Sequence, residues 1–352
     1  MGEKLLNKSD IGKLINELGK EYSIYAATND KQGNIIFDKI EKAEDILLDY
    51  LNSKIPPKSV LFPKVETLFE YEIKDDDIEI TNPKDLYEKR IIFGIRPCDA
   101  YSFQLFENFF GYGQFKDELF KTKKENTILF GIGCNLPRQT CFCTSVEGHP
   151  HKKDDVDVFL VDLGDKYLVE SISEKGKNIV QKLSWLSNTT EADIQKAKEL
   201  SKLAEESMST KIDIKKVIKI FQENFDNPIW DDISMSCIGC GSCTLLCPTC
   251  HCFDVIDEND PMSKKGRRIR LWDTCQSSIY TLETSGHNPR PNKVQRFRNR
   301  ILHKFCYYPT NYDLIGCVGC GRCINICPVN NDLRNIFNSI LKIEKKEEVK
   351  VV

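Results

Sequence analysis

Two uninterrupted apolar runs stand out in the first half of the chain, Ile91 to Ile95 and Ile128 to Ile132. Continuous runs of this length mark strands buried on both faces, as in a parallel sheet covered by helices. Each run stops at reactive residues, the first at Arg96-Pro97-Cys98 and the second at Gly133-Cys134. Upstream, Ile11, Leu14, Ile15 and Leu18 recur at helical spacing behind Ser9, a predicted N-cap. Downstream, DVFLVDLGDKYLVESIS holds two short β runs joined at Gly164-Asp165, which predicts a hairpin. From Thr190 to Phe225 the period becomes helical. Ile194, Ala197, Leu200, Ala204 and Met208 share one face, and Ile214, Val217, Ile218, Phe221 and Phe225 share another. Asn227-Pro228 ends the second of these helices. Much of the stretch from Arg267 to Tyr308 reads as helical, broken at Gly286, Pro289 and Pro291. The pattern predicts an α+β protein. An α/β domain covers 1–186, a helical bridge 187–229, a mainly α-helical domain 230–342, and a charged tail 343–352 that frays.

Composition adds limits. A chain of 352 residues fits two or three domains rather than one core. The net charge of −3 argues against a nucleic-acid binder, which is normally basic. No window of about 18 apolar residues predicts a membrane span. The first residues lack the apolar core of a secretory signal, and Leu6 breaks the N-terminal lipidation pattern. The expected location is the cytoplasm, where the 16 cysteines stay reduced or are held by metal.

Spacing favours metal. Cys237-x2-Cys240-x2-Cys243-x3-Cys247-Pro248 returns as Cys317-x2-Cys320-x2-Cys323-x3-Cys327-Pro328. Each run has the bacterial ferredoxin spacing for a [4Fe–4S] cube, in which the fourth cysteine serves the other cluster. The expected ligand sets are therefore Cys237, Cys240, Cys243 and Cys327 for one cube, and Cys317, Cys320, Cys323 and Cys247 for the other. Glycines within the runs allow the tight turn and let backbone N–H groups approach the sulfurs. Structural zinc takes two Cys-x2-Cys pairs and fits two runs of four less well. The long insert between the runs favours a helical ferredoxin module over the small hairpin type.

Eight cysteines remain. If the two apolar strands are neighbours, Cys98 and Cys134 meet at their carboxyl edge, where open α/β sheets gather ligands. Cys141 and Cys143 follow on a loop and complete four thiolates, a candidate third metal site of the [4Fe–4S] type. Burial as small apolar residues is the alternative for Cys98 and Cys134. Cys250, Cys252 and Cys275 are either a further metal site or shielding around the cubes, and Cys306 reads as shielding. Basic residues cluster at Lys264, Lys265, Arg267, Arg268 and Arg270, and at Arg296, Arg298, Arg300 and Lys304. A solvated helix face explains such clusters. So does tuning of a nearby cluster, or steering of an acidic partner.

The order GIRPCDA, GIGCNLPRQTCFC, CPTCHCF, RRIRLWDTCQ, SGHNPRP, RFRNRILHK and CVGCGRCINICP resembles the iron–sulfur beta subunit of cytoplasmic sulfhydrogenases. It is similarly close to the A subunit of anaerobic sulfite reductase. The resemblance covers nearly the whole chain and includes VLFPKVETLF near its start. It implies an electron-relay subunit between a flavoprotein subunit, which binds FAD and uses NAD(P)H, and a catalytic subunit with sirohaem or nickel–iron. It strengthens the third cluster at Cys98, Cys134, Cys141 and Cys143. Cys250, Cys252 and Cys275 fall on cysteine positions of the family pattern, whereas Cys306 does not. Related chains serve other cytoplasmic redox enzymes, including heterodisulfide-reductase-like assemblies.

No catalytic residues are expected in this chain. There is no P-loop, and Leu136 stands where a dinucleotide fingerprint beginning at Gly131 needs glycine. Neither flavin nor NAD is expected to bind here. The rival from a different class is a zinc-stapled structural protein. A redox sensor would need a nucleic-acid output domain, and none is visible.

Overall fold

The computed structural model describes residues 3–75, 77–83, 85–260 and 262–350, with 343–350 described through the backbone only. The chain divides into two compact units, each assembled from three segments. The first comprises Met1–Pro137, His149–Ser207 and Phe253–Trp272, and the second Arg138–Gly148, Met208–Cys252 and Asp273–Val352.

The first unit is built on an eight-stranded sheet. Its strands are β1 (Lys4–Asn7), β2 (Ser23–Asn29), β3 (Ile35–Lys39), and, past the second sheet's β4 (Val65–Lys74) and β5 (Asp77–Thr81), β6 (Arg90–Ile95), β7 (Thr127–Ile132), β8 (Val158–Asp162), β9 (Lys166–Ser171) and β10 (Ser187–Asn188). They lie in the order β10-β1-β9-β8-β7-β6-β2-β3. The central strands β2, β6, β7 and β8 are parallel. The apolar runs are β6 and β7, paired with Ile91 opposite Ile128 and Phe93 opposite Phe130. Their side chains alternate between two cores. Ile91, Phe93, Ile128 and Phe130 pack with Leu14, Ile15 and Leu18 of α1 (Ile11–Leu18). Ile92, Ile95 and Leu129 pack into the other core, with Phe62 after α2 (Lys58–Leu61) and Phe103 and Phe106 of α3 (Pro97–Phe110). With both faces covered, every position must be apolar, and the period-two signal disappears. The β8–β9 hairpin turns at Gly164, whose φ of 111° suits glycine. Ser9 does not cap α1. Asp10 occupies the cap, and its side chain makes no capping hydrogen bond.

The insert departs from its helical expectation. Residues 253–272 form an antiparallel hairpin, β11 (Phe253–Asp260) and β12 (Lys265–Trp272), inside the span expected to be mainly helical. They complete a second sheet in the order β11-β12-β4-β5. One buried charge holds the hairpin. Arg270 donates from Nε to Glu66 at 2.9 Å, pairs with Asp117, and lies 5.0 Å from the ring centres of Phe62 and Phe110. Glu66 also receives Lys123 of α4 (Glu118–Glu125) at 2.5 Å. Three more residues of this basic cluster are paired rather than free. Arg267 meets Glu258, Arg268 meets Asp257 and Lys265 meets Glu72. A stripe for steering an acidic partner is therefore largely neutralised by its own sheet.

The helical pair expected as a bridge is divided between the units. The helix α6 (Glu191–Glu206), which follows α5 (Glu174–Lys182), belongs to the first, and its start is fixed by a capping box of Thr190 and Asp193. The second unit contains α7 (Ile214–Glu223), α8 (Ile229–Ser234), α9 (Ser242–Leu245), α10 (Lys293–Leu302), α11 (Tyr308–Tyr312), α12 (Arg322–Asn325) and α13 (Leu333–Lys350). A five-residue π-helical turn, His303–Tyr307, joins α10 to α11. The core of this unit gathers Val217, Phe221, Trp230, Phe305 and Phe337. The backbone of α13 stays helical through Lys350, across most of the segment expected as a frayed tail, while Val351 and Val352 lie outside the described residues.

Removing the Glu66 carboxylate leaves buried Lys123 without its carboxylate and buried Arg270 with Asp117 alone. Glu66→Ala is expected to cost about 3–5 kcal/mol of stability in denaturant titration. Arg267→Ala, at an exposed pair, is expected to cost less than about 1 kcal/mol. Equal losses would refute the distinction.

Candidate metal centre

The two cysteine runs adopt one local design. In the first, Cys237 and Cys240 lie on a loop, Cys243 sits on α9, and Cys247 follows that helix. In the second, Cys317 and Cys320 lie on a loop, Cys323 sits on α12, and Cys327 follows. Both short helices begin behind a left-handed glycine, Gly241 or Gly321. The turns aim backbone N–H groups at sulfur: Gly239 at Cys237 (3.4 Å), Gly319 at Cys317 (3.5 Å) and Asn331 at Cys327 (3.2 Å). Such donors stabilise negative charge on sulfur.

The runs also cross. Cys237, Cys240 and Cys243 of the first and Cys327 of the second line one cavity of about 50 Å³, together with Cys323 and Arg300. Cys247 lies close enough to Cys317 and Cys323 for its charge to disfavour theirs. The structure thus brings together the residues of each crossed ligand set. Among the described residues, no three His, Cys, Asp or Glu side chains close around a single metal ion. A cube takes its thiolates on four separate iron corners and needs them further apart than one ion does.

Burial dominates the electrostatics. It pushes the Cys317 thiol up to about 12, and it raises Cys243 and Cys323 as well. Cys240 is lowered instead, because the Ser242 hydroxyl and backbone donate to it. Thiols raised in this way stay protonated until a metal displaces the proton, so loading is coupled to proton release. Opposing them are two buried cations, Arg300 of α10 and Lys304 of the π turn, only 5% and 4% exposed. Burial disfavours their charges, but negative charge on the surrounding sulfurs would hold both protonated, with Cys243 and Cys250 leading for Arg300 and Cys247 and Cys250 for Lys304. The other basic residues of α10 have ordinary partners. Arg296 donates to carbonyls of Gln276, Arg290 and Pro291, and Arg298 pairs with Asp226 at 3.3 Å.

The four cysteines expected at a third site are split between the units. Cys98 starts α3 and Cys134 follows β7 in the first unit, and these strands are indeed neighbours. Arg96 spans their edge by donating to the Gly133 carbonyl at 2.8 Å. Burial raises the Cys134 thiol, and Arg96 offsets part of that shift. Cys141 and Cys143 belong to the second unit, on a loop laid against the second run. Phe142 N–H donates to the Gly319 carbonyl at 2.8 Å, and Cys143 Sγ reaches Met208 Sδ at 3.6 Å. A Cβ on Gly319 would come within 2.5 Å of the Cys143 backbone, so only glycine admits this loop.

Cys250, Cys252 and Cys275 gather in the second unit beside Cys247. Cys247 shares a hydrogen bond with Cys250, and Cys252 shares one with Cys275. Cys306 is buried in the π turn and raised to about 12 by burial, in keeping with shielding. The sequence reading missed Thr249, Tyr280 and His151. Thr249 links Cys247 to Lys304, and Tyr280 contacts Cys252. His151 is buried against Gly133, and burial lowers it to about 4. Thr249 stands beside Cys250 in the sequence, whereas Tyr280 and His151 have neither cysteine nor glycine next to them and left no signal.

Residues 236–331 match the family described as 4Fe–4S dicluster domain. That span is just over a quarter of the chain and contains both cysteine runs. The chain is also similar to sulfhydrogenase 2 subunit beta of Pyrococcus furiosus, with 29% identity over 305 residues, which is 86% of this chain and 88% of the relative. The resemblance drawn from the cysteine-containing segments is thereby shown. No solved structure matches the chain. No described helix is long and apolar enough to cross a membrane.

The two runs differ in tolerance at glycine. Gly239 has a φ of +68° and open space around it, whereas Gly319 has a φ of +63° and backbone in the way. Gly239→Ala is expected to cost about 1–2 kcal/mol with iron retained. Gly319→Ala is expected to lose iron and to destabilise further. Thermal unfolding and iron analysis compare them.

Proposed function

We propose that this chain is an iron–sulfur electron-transfer subunit that relays electrons between a flavoprotein subunit and a catalytic subunit of a cytoplasmic redox complex. Two [4Fe–4S] cubes are held by crossed sets, Cys237, Cys240, Cys243 and Cys327, and Cys317, Cys320, Cys323 and Cys247. The observation that carries this reading is the single cavity lined by three thiols of one run and the fourth of the other. Bound cubes would supply sites for one electron at a time. The chain's own residues hold them in register, keep water away through burial, and oppose their charge with Arg300 and Lys304. The likeness to a sulfhydrogenase beta subunit favours a nickel–iron catalytic partner over a sirohaem one. Chemistry of bond making then belongs to that partner.

Anaerobically purified protein is expected to be brown, to contain about eight or more irons per chain with matching acid-labile sulfide, and to bleach with dithionite. A colourless zinc protein would overturn the proposal. Co-purification with a flavoprotein and a nickel protein is expected in the native complex.

Arg300 supplies a second test. Its positive charge favours the reduced, more negative state of a nearby cube. Arg300→Gln is expected to shift a midpoint potential negative in EPR-monitored redox titration, and Arg300→Lys to restore most of the shift. Unchanged potentials in both would remove its tuning role.

A further inference from the structure

Two buried cations face a thiol outside the ferredoxin runs as well as thiols within them. Among the described residues, neither Arg300 nor Lys304 meets a carboxylate. Arg300 donates to Cys250 Sγ at 3.5 Å, and Lys304 donates to Thr249 Oγ1 at 2.7 Å and to the Gly316 carbonyl at 3.0 Å. Spaced four residues apart, they also oppose each other. Two like charges buried without a counter-charge cost several kcal/mol each, so their surroundings must be anionic in the working protein. Cys250 is the one sulfur to which Arg300 donates directly, and it belongs to neither crossed set.

Cys250 has two companions outside those sets. The hairpin register pairs Phe253 with Trp272, and the chain ends continue that approach, with Asp273 N–H donating to the Cys252 carbonyl at 3.0 Å. Cys252 and Cys275 therefore meet, although 23 positions of sequence separate them by number, 275 against 252. Gln276 Nε2 donates to Cys275 Sγ at 3.5 Å, and Cys275 lies near Cys250 as well. Cys250 and Cys275 are each 9% exposed. Three thiols thus converge in a buried place, beside buried cations that also face Cys243 and Cys247 of the ferredoxin runs.

We propose that Cys250, Cys252 and Cys275 hold a further iron–sulfur cluster through three thiolates, with Arg300 and Lys304 as its counter-charges. The site rests on the iron–sulfur reading above and uses none of the eight cysteines of the ferredoxin sets, although Cys250 touches Cys247. Three cysteines hold either a cube with one iron corner left to another ligand or a three-iron cluster. The site lies within one unit, unlike the four cysteines Cys98, Cys134, Cys141 and Cys143.

The test compares three anaerobically purified full-length proteins: the unsubstituted chain, Cys252→Ala/Cys275→Ala, and Cys98→Ala/Cys134→Ala. Iron, sulfide and the EPR spectrum after stepwise dithionite reduction are measured. Cys252→Ala/Cys275→Ala is expected to lose about three or four irons per chain and one EPR species, and to keep about eight irons. Cys98→Ala/Cys134→Ala is expected to retain that species. Unchanged iron in the first variant, or loss of the same species in the second, overturns the site while leaving the ferredoxin runs intact. An unsubstituted chain without iron overturns the electron-transfer reading itself. Should Cys252→Ala/Cys275→Ala fail to fold, Cys275→Ser decides. Altered g values or a shifted potential in one species support the site, and a spectrum identical to the unsubstituted protein overturns it.

Discussion

Uncompensated positive charge in a low-dielectric interior is the constraint on which the second unit depends. Arg300 and Lys304 are buried with thiols, a hydroxyl and a carbonyl as neighbours. An apoprotein with neutral thiols would leave both cations stranded, and one with several free thiolates would crowd negative charge instead. Metal-bound thiolates resolve the conflict, because the metal holds the sulfurs together while the cations offset the residual charge. Folding of this unit and acquisition of its cofactor are therefore two aspects of one electrostatic balance.

The first unit meets a similar problem without a metal. Arg270 and Lys123 converge on Glu66, and Asp117 takes the remaining face of Arg270. Carboxylates answer cations there, and aromatic rings flank the guanidinium. The two solutions use different anions. In one unit they are carboxylates, always present, and in the other they are sulfur groups whose charge waits on a metal.

Local patterns were legible in the sequence. Strands β6 and β7 declared themselves by unbroken apolar runs, and the β8–β9 hairpin by its Gly164 turn. Strands β11 and β12 were misread because much of both is exposed and charged, which blurs the strand signal. The residues that fix the hairpin, Glu66 and Asp117, lie far from Arg270 in sequence and left no local trace. Cys98 and Cys134 were placed at the carboxyl edge of neighbouring strands, and β6 and β7 do pair, while the loop of Cys141 and Cys143 is assigned to the other unit. Cys252 and Cys275 became neighbours only through the register of β11 on β12. Among basic residues, sequence singled out Arg300 and Lys304 only as members of a cluster, since burial is a tertiary property.

The interleaving of segments bears on the order of synthesis. The second unit takes a short loop near residue 140, a middle stretch, and the C-terminal part beginning at Asp273, while the first waits for its own last hairpin at 253–272. A ribosome that has translated half of the message has therefore released neither unit whole. Thiols of the first run emerge well before Cys327, their partner across the cavity, and must be shielded from premature oxidation in the interval. For this polypeptide, metallation comes near the end of translation or after it.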